Sequence, residues 1–124
     1  MFNRVLLLIM LTSLNGCASL RVTGAEGLSA QQLAHVSSDY RVRAGAPVSV
    51  YLRSVDGQSL QFWQHAADIE AGPHRLLVDC SVRASNKLSR HELNVSLEAG
   101  VYYSLRAEAS DQQGCTRVIL EERN

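Results

Sequence analysis

Leu76-Leu77-Val78-Asp79-Cys80-Ser81-Val82-Arg83 is the stretch that decides the fold class. Leu76, Val78, Cys80 and Val82 fall on one parity, and Leu77, Asp79, Ser81 and Arg83 on the other. Successive side chains of a strand point to opposite faces, so this alternation predicts a strand with one apolar face turned to a core. The period of two continues outward in both directions. Upstream, Val42, Val48, Val50 and Leu52 alternate with Arg43, Ser49, Tyr51 and Arg53, and Gly45-Ala46-Pro47 separates two strands. Asp56-Gly57 is a hairpin signal, because a tight turn demands positive φ. Leu60-Gln61-Phe62-Trp63-Gln64 reads as a short strand after it, and Ile69-Glu70-Ala71-Gly72-Pro73 as a corner. Downstream, Leu93, Val95 and Leu97 are spaced by polar residues, and Glu98-Ala99-Gly100 turns the chain into Val101 to Ala107. A last strand runs from Cys115 to Glu121 with Val118 and Leu120 inward. The expectation is an all-β domain over 34–124, a small immunoglobulin-like or transthyretin-like sandwich of about seven mostly antiparallel strands.

Residues 1–33 follow another logic. Arg4 is followed by the apolar run Val5 to Leu11, with the small residue Gly16 before Cys17. The run is shorter than the roughly 20 residues a spanning helix needs, so it reads as an export signal over 1–16. Leu14-Asn15-Gly16-Cys17 resembles the lipobox of bacterial lipoproteins. That resemblance implies cleavage before Cys17 and acylation of Cys17, palmitate included, on its thiol and its new amino group. Several acyl chains at about 0.8 kcal/mol per buried methylene anchor a domain durably. Ala18, rather than Asp, after the acylated position implies the periplasmic face of the outer membrane. The other reading is an ordinary signal peptide cut near Ala18. Residues 17–33, with Gly24 and Gly27 and little apolar periodicity, read as lipidated Cys17 and a spacer, in which Ser29 to Leu33 could form a helical turn.

Charge and cysteine count narrow the possibilities. The chain has 12 basic and 12 acidic side chains, and its one lysine is Lys87. Without a basic cluster it lacks the electrostatic footprint of a nucleic-acid binder. With Cys17 given to lipid, Cys80 and Cys115 remain as a pair in a compartment that favours disulfides. They are either bonded or two buried thiols. Cys80 shares the inward parity of its strand, but Cys115 is out of register with Val118 and Leu120, so a disulfide requires a bulge or a Cys115 placed in the preceding turn.

Val55-Asp56-Gly57, Ile69 to Val78 and Leu97 to Leu105 together resemble a pattern found in small bacterial lipoproteins and PEGA-like domains. There a turn and two corners launch long strands. Asp56 and Gly57 match the turn, Gly72 and His74 the first corner, and Ala99, Gly100 and Tyr103 the second. The resemblance covers about half of the chain after Cys17 and implies fold and envelope location rather than activity. The chain has room for one copy, not a tandem array.

No recognisable reaction centre stands in the sequence. There is no H-E-x-x-H, no G-x-S-x-G elbow and no C-x-x-C pair. His65, Asp68 and His74 would have to converge across a corner to hold a metal, and no cofactor or metal is expected. The aromatics are the better lead. Tyr51, Trp63 and Tyr102 have outward parity, with Arg53 and Arg106 nearby, so together they form a candidate binding surface or else cover an open end of the sandwich. The functional expectation is a non-enzymatic, membrane-anchored accessory lipoprotein that contacts another envelope protein. The alternative is an envelope module binding a small molecule, glycan or peptidoglycan fragment.

Overall fold

A computed structural model describes residues 19–22, 24–38, 42–43, 46–110 and 112–123. Residues 1–16, expected to be an export signal, and Cys17 lie outside the described residues. Ten strands are formed among them: β1 (Ser19–Arg21), β2 (Leu33–Ser37), β3 (Val42–Arg43), β4 (Ala46–Val55), β5 (Gln58–Ser59), β6 (Ala66–Glu70), β7 (Gly72–Val82), β8 (Lys87–Leu97), β9 (Tyr102–Ser110) and β10 (Gly114–Glu122). A 3-10 turn, Ala30–Gln32, precedes β2.

The strands build two sheets. One has the order β1-β6-β2-β9-β10 and is mixed, because β1 runs parallel to β6 and β2 parallel to β9. The other has the order β3-β4-β7-β8, with β5 also on β4, and is antiparallel throughout. Their apolar faces meet in one core. Val50, Leu52, Val55, Leu76, Val78 and Cys80 come from the antiparallel sheet, and Val36, Ile69, Tyr103, Leu105 and Val118 from the mixed one. The alternation in 76–83 thus becomes the inner and outer faces of β7, as its pleat requires.

Cys80 of β7 is bonded to Cys115 of β10, with Cα atoms 6.3 Å apart, so the disulfide joins the two sheets. The register of β10 on β9 shifts between Cys115 and Arg117. That bulge resolves the parity conflict, since the extra residue lets both Cys115 and Val118 turn inward.

Two expectations about elements change. Residues 19–33 were expected to be a spacer, yet Ser19–Arg21 pairs with β6, and Leu20, Val22, Ala25 and Leu33 are buried. Three residues are too few to display a period, so the pairing is made by β6 rather than announced by β1 itself. Residues 60–64 were expected to be a strand, but the strand ends at Ser59. The Gln64 N–H donates to the Gln61 carbonyl (3.0 Å), and the Gln61 N–H donates to Gln64 Oε1 (2.8 Å). A four-residue turn results, with Phe62 and Trp63 at its tip. Only Leu60 of this stretch keeps an inward place, packed against the core.

Candidate functional site

The outer face of the antiparallel sheet carries a charged cluster around Asp79. Register places Tyr51, Asp79 and Arg90 side by side on β4, β7 and β8. The β4 register shifts between Leu52 and Ser54, which makes Arg53 the inserted residue of a bulge. Arg53 lies over the Tyr51 ring, 5.1 Å from its centroid, and its Nε donates to Asp79 Oδ2 at 3.0 Å. Arg90 grips the same carboxylate through Nε (2.8 Å) and Nη2 (3.2 Å). The Arg90 hydrogen bonds, with those of Arg53, outweigh burial and hold the Asp79 carboxyl below its usual range. The cluster is one carboxylate shared by two guanidiniums beside an aromatic ring, a surface suited to contact rather than proton transfer.

Tyr102 and Arg106 lie on the outer face of the mixed sheet, opposite Tyr51 and Arg53. The Tyr102 ring stacks on His35 with centroids 4.4 Å apart and planes at 17°. His35 Nδ1 meets Asp68 Oδ1 at 2.6 Å, and Nε2 meets the Ala30 carbonyl at 3.0 Å. Both ring nitrogens are therefore engaged. Arg106 pairs with Glu121 at 3.2 Å. The five residues expected to form one binding surface are split between two faces and the 61–64 turn. They do so because Tyr51 and Tyr102 have outward parity on strands of different sheets, and outward parity alone does not say which sheet.

A third feature is an open groove of about 440 Å³ lined by Asp56, Pro73, His74, Arg75, Asn94, Val95 and Ser96. Asp56 (φ 50°) and Gly57 (φ 83°) form the two-residue β4–β5 turn, a conformation with positive φ at both positions that favours this Asp-Gly pair. Asp56 then serves β7: Oδ1 accepts the Arg75 N–H at 2.8 Å, and Oδ2 meets His74 Nδ1 at 2.5 Å. His74 Nε2 donates to the Glu70 carbonyl at 2.6 Å. Slight burial pushes the Asp56 carboxyl up, but the Arg75 N–H and His74 outweigh it and hold the group below its usual range. Gly72 (φ 123°) opens β7, and Gly100 (φ 77°) sits in the corner before β9. Tyr103 Oη accepts the Glu98 N–H at 2.9 Å and ties down the second corner.

The histidines are thus drawn into separate local networks. Asp68 bonds His35 on the mixed sheet while His74 bonds Asp56 on the other, so the corner cluster of His65, Asp68 and His74 is not assembled. His91 Nε2 lies 2.8 Å from Ser89 Oγ, two residues away on the same face of β8. This serine–histidine contact lies outside the Asp56–His74 groove. Among the described residues, no group of three or more His, Cys, Asp or Glu side chains is placed to hold a metal ion.

Two features were missed in the sequence. His35 has no local signal, because its partners Asp68 and Tyr102 come from β6 and β9. Phe62 and Trp63 do carry a local signal against a strand: two adjacent aromatics cannot share one face of it, and both are exposed, at 85% and 51%. Their rings pack edge to face, 4.9 Å apart. No protein-family model, curated protein or solved structure matches the chain.

Proposed function

We propose that the protein is a non-enzymatic accessory lipoprotein of the bacterial envelope, held by acylated Cys17 at the periplasmic face of the outer membrane and acting through another envelope protein. The observation that carries this reading is Leu14-Asn15-Gly16-Cys17 at the end of an export signal. A disulfide between Cys80 and Cys115 is consistent with an oxidising compartment. The engagement of both ring nitrogens of His35 and His74 in local bonds favours a structural role for them over general acid–base chemistry. The protein contact falls on the Tyr51, Arg53, Arg90 face, because Tyr and Arg are enriched at interfaces. The glycan-binding alternative relied on convergence of all five candidate residues, and loses weight with their separation.

The finer fold assignment belongs to the same reading. An immunoglobulin sandwich places its first two strands in one sheet. Here the first two strands, β1 and β2, also share one sheet, with β6 between them, so both the immunoglobulin-like and the transthyretin-like alternatives stand.

Metabolic labelling with a palmitate analogue, followed by envelope fractionation, tests the anchor. Wild type should be labelled and recovered with the outer membrane, and Cys17→Ala should be unlabelled. An unlabelled, soluble wild type refutes the anchor. A photo-crosslinker at position 53 should give a discrete heterologous adduct in intact cells, and its absence removes the proposed partner face.

A further inference from the structure

The Phe62-Trp63 tip has two properties that a solvated turn does not require. Its rings are exposed side by side, and the turn that presents them is fixed at both ends. The Leu60 N–H donates to the Arg53 carbonyl (2.9 Å), and the Ser38 N–H donates to the His65 carbonyl (2.8 Å). The reciprocal Gln61–Gln64 bonds close the turn itself. An apolar pair held out on a rigid loop marks a contact site.

The parallel pairing of β1 with β6 says what it contacts. Ser19 is the register partner of Ala66, so the chain enters β1 and β6 side by side at the same end of the sheet. Trp63 lies three residues before Ala66, and Cys17 two residues before Ser19. Two residues span at most about 7 Å, so an acylated Cys17 brings the bilayer to this end of the domain. Residues 60–65 carry no acidic side chain that an anionic lipid surface would repel.

We propose that Phe62 and Trp63 are a second membrane contact, seated at the boundary of lipid headgroups and acyl chains beside the lipidated cysteine. This rests on the reading of Cys17 as the acylation site. Trp suits that boundary because its ring is apolar and its indole N–H is polar. The lipid chains supply the affinity. The aromatic tip fixes the orientation, leaving the domain docked on the membrane rather than swinging on its tether.

Trp63 is the single tryptophan, so its fluorescence reports this site alone. The full-length processed protein, purified from envelopes, is placed in phosphatidylethanolamine–phosphatidylglycerol vesicles with and without phospholipids brominated near the headgroup. Mass spectrometry of the Cys17 peptide gives lipidation separately. The expected result is a lipidated Cys17, Trp63 emission shifted to shorter wavelength, and quenching by the bromines. Phe62→Ser, at an exposed position, should fold normally and weaken the quenching. Lipidated protein with unquenched, solvent-like Trp63 overturns the proposal and leaves the anchor standing. Unlipidated protein overturns both. A shift in whole envelopes without quenching in pure lipid also overturns it and assigns the tip to a protein partner.

Discussion

At the scale of the residue, Asp79 has the sharpest electrostatic consequence. Its side chain is only 7% exposed, whereas Arg53 and Arg90 remain 47% and 64% exposed. The guanidiniums therefore keep their hydration while the carboxylate depends on them. Its pKa is lowered in the folded protein, chiefly by the Arg90 hydrogen bond. A depressed folded value means the contribution is fully present above the unfolded value of about 3.9, and is lost as pH falls through the folded one. Asp79→Asn should lower stability at neutral pH by about 1–2 kcal/mol, a figure reduced by the exposure of its partners. Urea unfolding at pH 7 and at pH 3 checks this. The gap between wild type and variant should be open at pH 7 and shrink at pH 3, and a gap independent of pH would refute the ion-pair account. Asp56 shifts in the same direction, so Asp79→Asn should still show part of the acid sensitivity of wild type.

At the scale of the element, strand length decided what was legible. The 11 residues of β7 repeat their alternation often enough to be read directly, whereas β1 has three. In β2 the burial of adjacent Leu33 and Ala34 breaks the period, because Leu33 also lies under the Gly100 corner, whose N–H donates to its carbonyl at 2.8 Å. The Asp56-Gly57 hairpin was visible because φ preference is local. The split of Tyr51 and Tyr102 onto opposite faces was not, since it depends on which sheet each strand joins. If the N-terminal segment belongs to the domain, then Val22→Asp, at a position 5% exposed, should cost about 2–4 kcal/mol by placing a carboxylate in the core. Arg21→Ala, at the exposed neighbouring position, should change stability by less than about 0.5 kcal/mol. Thermal unfolding of the two variants distinguishes a core strand from a spacer, for which both would be silent.

At the scale of the whole molecule, two short sheets must be kept face to face by a modest core. The Cys80–Cys115 bond crosses between them where β7 faces β10, and its sequence separation is 35 residues. Cross-linking a loop of that length removes freedom from the unfolded chain worth about 3–4 kcal/mol, against a typical total of roughly 5–15 kcal/mol. The bulge before Arg117 is the local irregularity that lets this bond coexist with an inward Val118. The double variant Cys80→Ser, Cys115→Ser should therefore keep the sandwich topology, since the strand pairings do not depend on the bond, but lose a large share of its stability. Guanidinium unfolding of wild type should fall toward the double variant when reductant is added, and the variant itself should not respond. An unchanged wild-type midpoint under verified reduction would mean that the core and strand pairing alone hold the sheets together. Loss of the midpoint through both routes would make the stability of the domain conditional on an oxidising compartment, as the proposed envelope location requires.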